Sequence, residues 1–180
     1  MTTPTDPAPE LPEDRGAYLS PCRRWRYTLW RVWDPSRPSI AWIGLNPSTA
    51  DEKDDDHTIR RCRAYSRALG AGGFYMLNLF AWRATDPRVL FSLARNSAGE
   101  DPIGEANDAA LAHAARSCSR VIAAWGDWDN RDAARRVKIV TAIVEANGAA
   151  LESLGVTARG APRHPSRLPN GVTPTPWGPR

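Results

Sequence analysis

The sequence predicts an α/β fold built on a largely parallel sheet. Short apolar runs that suit buried strands alternate with longer helical segments, and turn residues separate them. Strands that alternate with helices in this way form parallel sheets with helices on both faces. No internal repeat is evident, so a solenoid is not indicated.

The first half of the chain supplies two strands and a helix. Residues 26–33 (RYTLWRVW) are aromatic and β-branched and precede the turn DPSRPS, which predicts a strand at a sheet edge or in a hairpin. Residues 39–43 (SIAWI) are a short apolar run that ends at Gly44, typical of a strand buried on both faces. Residues 57–69 carry apolar side chains near helical spacing before a glycine-rich stop.

The second half continues the alternation. Residues 74–80 are again a buried strand, and the alanine-rich residues 104–118 predict a helix. Residues 120–125 (RVIAAW) form the next predicted strand, and residues 130–147 form a long helix that a glycine terminates. Residues 151–157 are a weaker strand, which completes the predicted four-stranded core sheet.

The chain length and its prolines predict one domain with irregular ends. With 180 residues of which 42% are hydrophobic, the chain suits a single core. Five of the 16 prolines lie in residues 1–21 and six lie after Ala161. We therefore expect an irregular proline-rich segment over 1–21, one α/β domain over 22–168 and a proline-rich tail over 169–180.

The charge pattern permits a phosphate-bearing partner. The formal charge is +4 with a pI near 9.3, and arginines cluster near the start of the domain and near its end, where no acid follows Glu152. Such clusters suit nucleic acid or a nucleotide, although solvated arginines on an ordinary surface give the same pattern. The sequence does not indicate an oligomeric state.

Other classes of protein find little support. The three cysteines are scattered without a CxxC pair, so neither a disulfide framework nor a zinc ribbon is indicated. No apolar run is long enough to span a membrane, and the polar start of the chain does not resemble a signal peptide. We expect a cytoplasmic protein with no membrane partner and no cofactor.

Polar residues follow the predicted strands at their carboxyl ends, which is where open α/β sheets bind ligands. Asn46 follows the first buried strand in the turn GLNPS, and Asn78 follows the second within MLNLFAW. A buried Asn78 amide needs partners, which could be the edge of a nucleobase or backbone carbonyls of its own loop. His164, in the loop GAPRHPSRLPN, could donate to a developing anion. His113, in mid-helix, is expected to be structural.

These marks together resemble the uracil-DNA glycosylase superfamily. The resemblance rests on GLNPS, the asparagine of MLN, an apolar strand ending in WG, and HPSRL, in that order over residues 39–168. More narrowly, NPSTAD, NLFAWRATDP and PRHP resemble a bacterial family described as a domain of unknown function. The superfamily resemblance implies a three-layer α/β/α sandwich with a four-stranded, largely parallel sheet that binds an extruded base at the strand ends.

The resemblance also implies site roles. Asn46 would position the attacking water, and His164 would hydrogen-bond the departing base. Asn78, Gly44 and Leu45 would bind that base. The residues implied to contact phosphates or the vacated base stack are Ser48, Arg163, Ser166, Arg167 and Leu168.

The sequence departs from the superfamily pattern at three points. Asn46 stands where some members carry a carboxylate, and an amide can orient water but cannot take its proton. Arg167 replaces a proline. An acidic run replaces the segment that usually carries a base-stacking aromatic residue. The sequence therefore predicts an N-glycosidic hydrolase for a damaged or modified base in nucleic acid, with DNA favoured, or in a nucleotide; a non-catalytic module that binds the same ligand is the alternative.

The acidic run itself, ADEKDDDH over residues 50–57, has three interpretations. Its carboxylates could cap the following helix and oppose its positive end. One of them, Asp51 or Asp56, could supply the general base that Asn46 cannot, and Asp51 is the candidate we place in the predicted catalytic set. A metal cage is the third interpretation, but the spacing does not match the calcium-loop pattern, and His57 is expected near the helix start rather than on a metal.

Overall fold

The predicted strands and helices are present in the computed structural model, which describes residues 13–93 and 100–179. The strands in this part of the chain are β1 (Asp14–Leu19), β2 (Arg26–Val32), β3 (Ser39–Gly44), β4 (Gly73–Asn78), β5 (Arg120–Ala123), β6 (Leu151–Ser153) and β7 (Thr175–Pro176). The α-helices are α1 (His57–Ala68), α2 (Arg88–Leu93), α3 (Asn107–Ser117) and α4 (Arg131–Ala146). A 3₁₀ helix spans Pro165–Arg167.

The strands form one mixed sheet in the order β1-β2-β4-β3-β5-β6-β7. The pairs β4/β3, β3/β5 and β5/β6 are parallel, whereas β1/β2, β2/β4 and β6/β7 are antiparallel. The carboxyl ends of β3, β4 and β5 therefore meet at one edge of the sheet. Because β2 runs against β4, the beginning of β2 lies at that same edge.

Alternate residues of the central strands face two separate cores, as expected for strands covered on both faces. On β3, Ala41 and Ile43 pack in the core that α2, α3 and α4 cover, whereas Ile40 and Trp42 pack in the core beneath α1. Trp42 is fully buried, and its indole N–H donates to the hydroxyl of Ser66 in α1 at 2.9 Å. The α/β fold class predicted from the sequence is confirmed.

The predicted four-stranded sheet is wrong in strand number, and its parallel direction holds only for the central run β4-β3-β5-β6. Three additional strands pair with it, and half of the neighbouring pairs are antiparallel. Two of the additions, β1 and β7, lie in segments that proline content predicted to be irregular. They are strands because each pairs with the edge of the sheet, a long-range contact that local composition does not report.

Helix ends follow the chemistry expected of caps. Asp56 is the N-cap of α1, and its Oδ1 accepts the backbone N–H of Ile59 at 2.9 Å. Asn130 caps α4 in the same manner, and Gly148 follows that helix with a φ of 80°, a conformation that glycine adopts without strain. Among the described residues, no helix has both the length and the apolar character needed to cross a bilayer.

Candidate functional site

A cavity of about 160 Å³ lies at the carboxyl ends of the parallel strands. Residues from six parts of the chain line it: the beginning of β2, the end of β3 with the turn after it, the beginning of α1, the end of β4 with the loop after it, the loop after β5 and the loop before the 3₁₀ helix. Of the predicted site residues, it brings together Gly44, Leu45, Asn46, Ser48, Asn78 and His164. We call it the ring cavity.

The turn after β3 is held in place by the amide of Asn46. Its Nδ2 donates to the carbonyls of Pro47 at 3.0 Å and Ala84 at 2.7 Å, and the N–H of Ala84 donates back to Pro47. These bonds tie the turn to the loop after β4. Because the donor side of the amide is occupied by backbone, Oδ1 is the atom that remains to accept a hydrogen bond from water.

Asn78 ends β4 with a fully buried amide, and neither Nδ2 nor Oδ1 has a hydrogen-bond partner among the described residues. Gly44 lies directly against it, since a Cβ added there would be 2.9 Å from Oδ1 of Asn78. The interpretation of Asn78 as an amide that ties its own loop to backbone carbonyls is therefore wrong. That structural role belongs to Asn107, whose Nδ2 donates to the carbonyls of Asn78 and Leu79 at 3.1 Å each.

The ring of His164 is held by the residue two positions after it. Nδ1 accepts the backbone N–H of Ser166 at 3.3 Å and lies 2.6 Å from the Ser166 hydroxyl. A backbone N–H can only donate, so Nδ1 is the acceptor and the neutral ring carries its proton on Nε2. Burial lowers the pKa of His164, and the positive charge of Arg167 lowers it further, while Asp56 opposes and His57 adds to the lowering. His164 is thus a neutral donor at pH 7.

The acidic run divides into residues with separate contacts. Asp55 lies 2.6 Å from the buried guanidinium of Arg31, and Glu52 lies 2.9 Å from exposed Arg23. Asp56, the cap of α1, is the carboxylate that also lines the ring cavity. The capping interpretation is therefore confirmed for Asp56 alone.

Asp51 lies outside the set of residues that line the ring cavity. Its Oδ1 accepts the backbone N–H groups of Lys53 at 2.9 Å and Asp54 at 3.0 Å. These hydrogen bonds lower the pKa of Asp51, which weakens it as a base. Its carboxylate stabilises the turn before α1, so the geometry favours Asp56 over Asp51 as a base for this cavity.

A second cleft of about 370 Å³ adjoins the ring cavity, and His164 lines both. Arg163, Arg167 and Leu168 line this cleft, and both arginines are exposed. Leu168 is only partly available, because it packs against the core beneath α1. Of the two serines predicted to contact phosphates, Ser48 lines the ring cavity, and the hydroxyl of Ser166 lies 2.6 Å from Nδ1 of His164.

Arg26 and Trp128 are two ring-cavity residues that the sequence motifs do not indicate. Arg26, the first residue of β2, belongs to the arginine cluster near the start of the domain, yet it is 2% exposed and lines the ring cavity. Trp128, in the loop after β5, is 38% exposed, and its indole N–H donates to the carbonyl of Trp125 at 2.6 Å. Its ring contacts Phe91, with 6.3 Å between the ring centroids, so a ligand can reach only the remaining surface of the ring. A basic residue at the start of an aromatic strand was the available signal for Arg26, but it does not reveal the strand direction.

The described residues contain no group of three or more His, Cys, Asp or Glu side chains placed to hold a metal ion. The metal-cage interpretation of the acidic run therefore has no geometric support. Glu52 and Asp55 contact arginines, and Asp51 and Asp56 accept backbone N–H groups.

Comparison with known proteins gives one match. No curated protein and no solved structure matches the chain. A family model described as "Protein of unknown function (DUF1643)" matches residues 26–166, which include every strand and loop that lines the ring cavity. The chain belongs to the DUF1643 family.

Proposed function

We propose that the protein hydrolyses the N-glycosidic bond of a damaged or modified base, in nucleic acid or in a nucleotide. The observation that carries this proposal is the Asn78 amide, which is fully buried, unpartnered among the described residues, and part of the ring cavity wall. Buried amides normally find hydrogen-bond partners within the protein. An amide that presents a donor and an acceptor side by side matches the donor and acceptor pattern on the edge of a nucleobase.

The size of the ring cavity supports a single base as the ligand. Its volume of about 160 Å³ is close to the roughly 150 Å³ of a protein cavity known to accept benzene. One planar ring fits such a space, whereas the sugar and phosphate of a nucleotide do not fit with it. The base would therefore leave its stack and enter alone, with the sugar at the mouth. The exposed ring of Trp128, which lines the cavity, can stack on the base.

The proposed reaction uses a water molecule and Asp56. The water oxygen attacks C1′ of the sugar while the bond between C1′ and the base nitrogen breaks, and the electron pair of that bond stays on the base. Asn46 Oδ1 orients the water. Asp56 accepts the water proton through Oδ2, since Oδ1 holds the N–H of Ile59. An amide at Asn46, in the turn GLNPS, is then sufficient, because the carboxylate comes from the helix cap.

His164 supplies the donor for the departing base. Its Nδ1 is occupied by Ser166, so Nε2–H is the group that can hydrogen-bond the negative charge that builds up on the base. A neutral donor needs no charged partner in the resting protein. The base then takes a proton from solvent and leaves.

The uracil-DNA glycosylase superfamily remains part of this proposal as a resemblance. The order β4-β3-β5-β6 is a run of four mutually parallel strands with helices on both faces, and this run would correspond to the core sheet of that superfamily. The adjoining cleft, with exposed Arg163 and Arg167, would take the phosphates that flank the base. DNA is the favoured carrier of the base, and a nucleotide is the other.

The direct test is release of free base. Wild-type protein is incubated in excess over DNA, RNA and nucleotides that carry diverse modified bases, and mass spectrometry detects the free base in a single turnover. Replacing His164 by Ala should lower the release rate by about 10²- to 10³-fold, as for loss of one oxyanion-type donor. Replacing Asn78 by Ala should weaken binding and also reduce base selectivity.

A binding module is the second candidate, favoured by the Asn46 amide, which is held in place by two backbone carbonyls. In that case His164 and Asn78 are equivalent contacts to the ligand. Replacing either one lowers the binding affinity, and no reaction is affected because none takes place. Tight binding of one ligand by wild-type protein without any base release across the whole panel would contradict the hydrolase proposal and support the module.

A further inference from the structure

Arg26 is a buried charge without an ion-pair partner among the described residues. Its side chain is 2% exposed, and Nη1 donates to the carbonyl of Ala50 at 2.8 Å. Nε is buried and has no hydrogen-bond partner among the described residues. Buried guanidinium groups without a carboxylate are costly, so this one calls for a functional explanation.

The other buried arginines of the described chain are paired with carboxylates. Arg31 donates from Nε and Nη2 to Asp55 at 2.9 and 2.6 Å. Arg136 pairs with Asp108 and donates from Nε to the carbonyl of Leu79 at 2.6 Å. Neither Arg31 nor Arg136 lines the ring cavity, whereas Arg26 does. Thus the unpaired buried arginine is the one with access to a ligand.

The guanidinium of Arg26 is charged at neutral pH. Burial lowers its pKa to about 10, and attraction to Asp56 and Asp51 opposes that shift, while repulsion from Arg83 and Arg31 adds to it. A pKa near 10 still leaves a full positive charge at pH 7. The charge is therefore buried beside the cavity, where its attraction for an anion exceeds that in bulk water.

We propose that Arg26 makes the ring cavity selective for a planar heterocycle that carries negative charge. The proposal rests on the proposed function for its biological ligand, which is the anionic base formed as the N-glycosidic bond breaks. The antiparallel direction of β2 brings Arg26 to the end of β4, so Arg26 and Asn78 line the same cavity. Asn78 matches the hydrogen-bond pattern of the ring, and Arg26 stabilises its charge. A base that leaves with its bonding electron pair gains this attraction only as the bond breaks.

Asp56 is the opposing charge in the cavity. Its carboxylate repels an anionic ring, and Asp56→Asn removes that charge while an asparagine still caps α1. The proposal therefore predicts opposite effects for the two charged residues. Loss of Arg26 weakens anion binding, and loss of the Asp56 charge strengthens it.

The test compares two rings of similar size at one pH. Uracil is neutral and barbiturate is its monoanionic analogue at pH 7.5, and isothermal titration calorimetry measures the affinity of each for the intact protein. Wild-type protein should prefer barbiturate by about tenfold, the effect of one charge-assisted hydrogen bond. Arg26→Gln should abolish most of that preference, Arg26→Lys should keep part of it, and Asp56→Asn should increase it.

Arg136→Gln is the matched control, because it removes a buried arginine that does not line the ring cavity and should leave the preference unchanged. Circular dichroism checks the fold of each variant, and if Arg26→Gln does not fold, the Lys and Asp56 variants decide the matter. An equal preference in wild type, Arg26→Lys and Asp56→Asn, or no preference in wild type, would overturn the role of Arg26.

Base release is measured on the same proteins to separate the two proposals. If wild-type protein releases free base but the Arg26 variants keep the same preference for barbiturate, the proposed role of Arg26 is wrong and the hydrolase proposal stands. If the preference for barbiturate depends on Arg26 but no substrate releases free base, the role of Arg26 is supported and the hydrolase proposal is contradicted.

Discussion

Replacing Asn78 by leucine should stabilise the free protein or leave it unchanged, while it removes ligand binding. Leucine has nearly the same shape as asparagine, and the asparagine has two buried polar atoms without partners among the described residues. A buried unpartnered polar group costs about 1–3 kcal/mol, so the free energy of unfolding should rise by up to that amount. For a chain of this size, each kcal/mol corresponds to about 2–4 °C in Tm. Urea unfolding and calorimetry measure both quantities.

The neighbouring Asn107 provides the control. It is as buried as Asn78 and its Oδ1 also lacks a partner among the described residues, but its Nδ2 donates to two backbone carbonyls. Asn107→Leu removes this donor from the carbonyl of Asn78 and one of two donors from the carbonyl of Leu79, which keeps Nε of Arg136, and should lower the free energy of unfolding by about 1–3 kcal/mol. A rise in the free energy of unfolding for Asn78→Leu and a fall for Asn107→Leu would identify Asn78 as a ligand-binding amide. A loss above about 1 kcal/mol for Asn78→Leu would refute that interpretation.

Three further predictions concern the charged groups around the cavity. Replacing Arg163 and Arg167 together by Ala should make the log–log salt dependence of nucleic-acid binding shallower by up to about two, at roughly 0.9 per phosphate contact, and an unchanged slope would exclude phosphate contacts. Asp56→Asn should lower single-turnover base release by about 10²- to 10⁴-fold with Tm nearly unchanged, whereas Asp51→Asn should retain release; the reverse pattern would restore Asp51 as the base. In an NMR titration, His164 should have a pKa below 6.5, and Arg167→Gln should raise it, because removal of the nearby cation favours the protonated ring.

The lowered pKa of His164 also has a consequence for stability. Its folded pKa lies below the unfolded value of 6.5, so the unfolded chain binds more protons between those two values. The contribution of His164 to stability is therefore present above pH 6.5 and is lost as the pH falls through the folded pKa. Wild-type protein should lose stability over that window relative to His164→Asn, and parallel curves would show that the ring is not held in its neutral form.

Local patterns predicted the central part of the fold well. The apolar runs before Gly44 and Asn78 became β3 and β4, and the long helix before Gly148 became α4. These elements could be predicted because burial on both faces and helical periodicity are properties of contiguous sequence. β1 and β7 could not be predicted, because edge strands take their conformation from the strand they pair with.

The sequence by itself determined the α/β class, the order of the central elements, and the strand ends at which Asn46, Asn78 and His164 occur. Only the tertiary structure decided which side chains share the ring cavity. It brought Arg26 to the cavity through the antiparallel direction of β2, and it separated Asp56, which lines the cavity, from Asp51, which stabilises a turn. The reason is that strand direction and the partners of a carboxylate depend on contacts between residues distant in the chain, which periodicity and local composition do not encode.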